Sequence, residues 1–174
     1  MAVMQHVIWG HFPGTLQYLV LPAIERGRMK ASSWNDLQTC IAREFHQEYP
    51  HTVLDNVPMS EFGISGSNAE IDIVLGELGD QELPGFLIHI SGHMAPRHEK
   101  ELLEMAAVSA VDHRFTHGVL VVCSDNKLRL EGRATSYAYC TGPLLRLAEP
   151  VLRHCSLQGL LCVGLSTPPK SDLR

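Results

Sequence analysis

Polar and apolar residues alternate over Glu70-Ile71-Asp72-Ile73-Val74-Leu75 and again over Phe86-Leu87-Ile88-His89-Ile90-Ser91, a period of two that predicts a pair of strands. In the first, Ala69, Ile71, Ile73 and Leu75 share one face, and Glu70, Asp72 and Val74 the other. In the second, Phe86, Ile88 and Ile90 stand opposite Leu87, His89 and Ser91. Residues 76–85 between them are polar and turn-forming, so the simplest join is an antiparallel hairpin with both apolar faces together. That arrangement brings Asp72 near His89 and Ser91.

Helical spacing appears elsewhere. Leu16, Leu19, Val20 and Ile24 recur at three- and four-residue steps from Thr15, with Pro22 expected to kink or end the helix. Ser33, with Asp36 three residues on, predicts a capped helix start, and Leu37, Ile41 and Phe45 form its inward stripe up to Tyr49-Pro50. Glu44 falls on the edge of that stripe, where a carboxylate either finds a partner or a cation, or slides out to water. Val3 to Trp9 fits a strand or a helix start. Strand character returns at Thr52-Val53-Leu54. Pro96 suits the first turn of a helix whose start carries Glu99, Glu101 and Glu104. The later part of that helix, Ala106 to Val111, is apolar nearly all round, which predicts burial.

Gly118 to Cys123 is wholly apolar and predicts a central strand covered on both faces, and Leu157 to Leu165 predicts another buried strand. Between them, residues 124–141 are expected as loop with irregular strand, and Pro143 to His154 as a helix kinked at Pro150. The order predicts an α/β fold with a mixed central sheet and helices on both faces. It forms one domain over 1–174, with 1–30 as a peripheral N-terminal segment and 166–174 as a flexible tail.

Composition narrows the class. A chain of 174 residues with 45% hydrophobic and 19% charged residues can bury a real core. No apolar run reaches the roughly 18 residues that cross a bilayer, and the start lacks the pattern of a secretory signal. The five cysteines include no CxxC pair, and Cys123 and Cys162 sit in apolar runs, so a reducing cytoplasm is expected. A net charge of −5 argues against a protein that coats nucleic acid indiscriminately. Acids concentrate between Glu61 and Glu104. Bases gather at Arg26-Gly27-Arg28-Met29-Lys30 and at Lys127, Arg129 and Arg133. Such a distribution suits a cation site beside a phosphate track, or simply a solvated surface.

The element order over residues 33–165, together with the Ile71-Asp72-Ile73-Val74 strand, resembles the restriction-endonuclease-like superfamily, the PD-(D/E)xK nucleases. The resemblance implies a restriction-endonuclease-like core and a metal-dependent DNA phosphodiesterase using Mg or Mn, with DNA as partner; a second copy of the chain is a separate candidate partner. It matches Asp72 to the metal aspartate, and puts His89 at the second acid position and Ser91 at the lysine position. Glu44 lies in the helix that contributes a further acid in many members. Glu70, on the face of Asp72, is a further metal-ligand candidate, and Lys100 is the candidate substitute for the absent strand lysine. Lys127, Arg129 and Arg133 would meet the nucleic-acid backbone. Imidazole and a serine hydroxyl are poor replacements at a magnesium centre, so the same resemblance admits a degenerate, inactive relative. Two alternatives stand beside it. One is a non-catalytic dimerising or binding module on the same fold, and the other a zinc-dependent hydrolase using His89, His93 and His98. There is no Gly-x-Ser-x-Gly elbow and no phosphate-cradling glycine loop.

Overall fold

The computed structural model describes residues 4–32, 36–49, 53–76, 85–91, 95–123 and 157–165. The first strand, β1, spans Met4–Gly10, and helix α1 follows over Gly14–Lys30. Helix α2 spans Leu37–Glu48, and strand β2 spans Val53–Pro58. The predicted hairpin is β3, Glu70–Leu75, and β4, Gly85–Ser91. Helix α3 is Ala95–Val111, β5 is Phe115–Cys123 and β6 is Gly159–Leu165. The six strands form one sheet in the order β1-β6-β5-β4-β3-β2. Its middle pairs, β4–β5 and β5–β6, are parallel, and the remaining pairs are antiparallel.

Alternation along the strands divides the core between the two faces of the sheet, except that Ile71 and Ala69, expected on the face of Ile73 and Leu75, pack instead with Val74 and Leu87. Ile73, Leu75, Phe86, Ile88, Val119 and Val121 pack under α1 and α2 with Leu16, Ile24, Ile41 and Phe45. Val74, Leu87, Leu120 and Val122 pack under α3 with Leu102, Met105 and Val108. Helices therefore cover both faces, as the pattern predicts. The central strand β5 is longer than its apolar run suggests, beginning at Phe115.

Several expectations change. The segment 4–30 is no mere periphery: it supplies a strand and a helix whose Leu16, Val20 and Ile24 are wholly buried. The helix also runs on past Pro22. The proline cannot donate to the carbonyl four residues back, but Tyr18 and Pro22 both face solvent, where water can serve that carbonyl. At α2, Asp36 stands just before the helix and accepts hydrogen bonds from Ser32 N and Oγ, at 3.1 and 2.7 Å, rather than capping its own helix. Helix α3 is buried along one face only, since Leu103, Ala110 and Val111 are exposed. The expected loop at 124–141, the helix at 143–154 and the tail lie outside the described residues.

α1 and α2 cross at Gly27. A Cβ there would lie 2.7 Å from Ile41 Cα and 2.8 Å from its backbone nitrogen, so only glycine admits this approach. We expect Gly27→Ala to destabilise by ~1–3 kcal/mol despite the better helix propensity of alanine, because a helix axis rather than a side chain must move. Urea unfolding of the variant measures it. An unchanged midpoint would mean that the two helices are held further apart.

Candidate active site

The hairpin ladder runs from Leu75↔Phe86 to Ile73↔Ile88 and stops there. One residue further, the strands separate, and the Asp72 side chain takes over from the backbone. Its Oδ2 accepts the Ile90 amide at 2.7 Å. The same oxygen lies 3.2 Å from His89 Nδ1. The pair expected from alternation is therefore in contact, with His89 only 2% exposed.

The imidazole has a second acid on its other side. Nε2 lies 3.2 Å from Glu104 Oε2 of α3. That contact is off the N–H axis, so it counts as an ion pair and not an aligned hydrogen bond. Burial alone would discharge the ring. The Asp72 hydrogen bond, the Glu104 carboxylate and the further negative charge of Glu101 outweigh burial and raise the His89 pKa from 6.5 to about 9. At neutral pH the ring is an imidazolium clamped between two carboxylates.

Around this clamp lies a pocket of about 590 Å³. Glu70, Asp72 and His89 enter it from the hairpin, Asn68 and Ala69 from the chain before β3, and Lys100, Glu101 and Glu104 from α3. Glu104 and Glu101 are carried to it by the helical spacing of α3, which buries Leu102 and Met105 beneath them. Four carboxylates thus face two cations, Lys100 and the charged His89.

Other candidates sit elsewhere or lie beyond description. Glu44, whose outward escape to water was one expectation, is 2% exposed and belongs to the α1–α2 layer. Its Oε1 takes Lys30 Nζ at 2.6 Å, with Arg26 Nε at 3.6 Å, and it lines no part of the pocket. The basic group at 26–30 is consumed in the same layer. Arg26 also meets Glu48 at 3.2 Å, and Arg28, nearly buried, meets Glu25 at 2.9 Å. Arg26 and Lys30 stay partly exposed while paired, at 42% and 60% of their side chains. The backbone of Ser91 ends β4 opposite Val122. Its side chain and that of His98 are not described, and His93, Lys127, Arg129 and Arg133 lie outside the described residues.

A divalent cation is what the fold implies, and the carboxylates are hard donors suited to one. The imidazole is not: both nitrogens face acids, which leaves no lone pair for a metal while the ring is charged. Among the described residues no three His, Cys, Asp or Glu side chains converge as a metal centre would require. The described site therefore does not fit a prebuilt magnesium centre. From the sequence, Glu104 stands only among the acids at the start of a helix. The sign that could have singled it out is its place one helical turn beyond Lys100, on the stripe next to Leu102 and Met105.

No family model matches the chain, and no curated protein matches it by sequence. A search of solved structures does find a match, the restriction endonuclease BglII in complex with a DNA 16-mer. The TM-score is 0.55 at 13% sequence identity, covering 94% of this chain and 76% of the other. Among the described residues no helix is long and apolar enough to cross a membrane. With its mixed six-stranded sheet, helices on both faces and split hairpin, the chain has the restriction-endonuclease fold.

Proposed function

We propose that this protein is a DNA-directed relative of the restriction endonucleases that binds without cleaving, its hydrolytic centre replaced by a closed ion-pair network. One observation carries this proposal: both ring nitrogens of His89 lie 3.2 Å from carboxylate oxygens, those of Asp72 and Glu104. The acid expected to hold a metal is thereby neutralised by a side chain. Ser91 at the lysine position brings no charge to a phosphodiester transition state. In this proposal Lys127, Arg129 and Arg133 meet the phosphates, since the bases at 26–30 are already paired within the fold. Two copies of the chain acting together in the cytoplasm complete it.

A metal-dependent phosphodiesterase is the rival, favoured by Lys100 lining the same pocket as Glu70 and Asp72. Two assays on one preparation separate them. Duplex DNA followed by fluorescence anisotropy should bind, with affinity falling steeply as salt rises, and neutralising Lys127, Arg129 and Arg133 together should weaken binding for every sequence tested. Supercoiled plasmid should stay intact with Mg or Mn at pH 7.5. Nicking that disappears in Asp72→Asn would establish the rival, and absence of DNA binding would sink the proposal.

A further inference from the structure

Asp72 occupies a fork in the sheet, and both of its neighbouring ladders give way at that point. Toward β4, regular pairing ends at Ile73↔Ile88. Toward β2, Asp55↔Ile73 and Val57↔Ile71 pair, whereas Asn56, opposite Asp72, is turned aside in the left-handed conformation with φ at +52°. It is the one non-glycine residue with positive φ among the described residues. A side chain from another element enters the gap. Gln38 Nε2, on α2, donates to the Asp72 carbonyl at 3.2 Å and to Asn56 Oδ1 at 2.8 Å.

From this geometry we infer that Gln38 is a positioning residue for Asp72. One amide replaces the ladder bond that the turned Asn56 cannot make, and it ties the forked backbone to α2. The chain of effect is short. The Asp72 carbonyl is fixed from the α2 face, and its carboxylate, on the other side of the same residue, reaches Ile90 N and His89. An ordinary ladder would hold the Asp72 backbone in register but commit it to straight pairing with β2. The amide permits the fork and still fixes the residue within it. Asparagine enters the left-handed region more readily than other non-glycine residues, and a contact to its side chain can fix it there. Gln38 supplies that contact and holds the Asp72 carbonyl at once.

Gln38 has this role only if Asp72 is held as proposed above, and the Ile90 amide reports on both. In amide-resolved NMR of the full chain, Asp72→Asn is expected to shift the Ile90 amide proton upfield, because its carboxylate acceptor is gone. Gln38→Met keeps the length of the side chain and removes its donor. It should shift the same signal in the same direction and speed its hydrogen exchange roughly fivefold, the scale of one net hydrogen bond. Amides of β5 and β6 should not move. Gln38→Lys, whose ammonium can serve both acceptors, should restore the Ile90 signal, which a merely space-filling role would not require. If Asp72→Asn leaves Ile90 unmoved, the clamp itself is absent. If Asp72→Asn moves it while Gln38→Met does not, the clamp stands and Gln38 is not its positioning residue.

Discussion

Raising the pH from 6.5 to 9 is expected to remove about 3 kcal/mol of folding stability through His89. The sign follows from the direction of the shift. An ordinary histidine in the unfolded chain titrates near 6.5, while the folded ring holds its proton up to about 9. The stabilisation is complete below 6.5, where both states are charged. It declines as the unfolded state sheds its proton, and is gone once the folded ring loses its own. Among the described residues, two other shifted groups act above this interval. Burial raises the Cys40 thiol and the Tyr49 hydroxyl, so their contributions begin to fall only above about 9 and 10. His117 acts on the opposite side. Burial lowers it, so its contribution is intact above 6.5 and declines only as pH falls. Urea melts of wild type at pH 6, 7.5 and 9 should trace the loss, and His89→Gln should flatten it. A wild-type profile already flat between 6.5 and 9 would mean that the ring is not charged, and the clamp would fail with it.

What could be read from the sequence, and what could not, follows from the range of each interaction. The Asp72–His89 contact was legible because strand alternation fixes which side chains share a face, and a hairpin leaves few registers open. The central strand at 118–123 was legible because an unbroken apolar run has few uses besides burial on both faces. Glu44 was not. Its burial depends on Lys30, which lies fourteen positions away on a helix whose crossing is set by Gly27. The path of α1 through Pro22 was hidden for a similar reason, since the cost of the proline depends on which face of the helix meets water. β1 was ambiguous because its partner is β6, at the other end of the chain. The second acid on His89 comes from α3, and hairpin alternation says nothing about a helix lying across it.

Replacing the imidazolium with a carboxylate should turn the site from one indifferent to metal into one that needs it. In His89→Glu, the Asp72 and Glu104 oxygens, each now 3.2 Å from a ring nitrogen, would face a third acid across the same gap. Without a cation, like charges at such distances oppose folding, and the variant should melt below wild type at pH 7.5. Hard oxygen donors of this kind suit Mg or Mn. A cation that binds only the folded state at a hundred times its Kd returns about 2.7 kcal/mol, or roughly 6–10 °C in Tm for a domain of this size. Wild type, in which the charged ring already occupies the gap between Asp72 and Glu104, should show no metal-dependent rise over the same titration. Three outcomes can be told apart in one set of melting curves. A rise in His89→Glu alone supports the view that the ring stands where a cation would otherwise sit. A rise in wild type, abolished by Asp72→Asn, would mean that the acids gather a metal despite the imidazole, and the phosphodiesterase would become the better account of the protein. A folded His89→Glu that ignores every divalent ion would show that the acids around the pocket do not converge at all, leaving the histidine a structural ion pair with no bearing on catalysis.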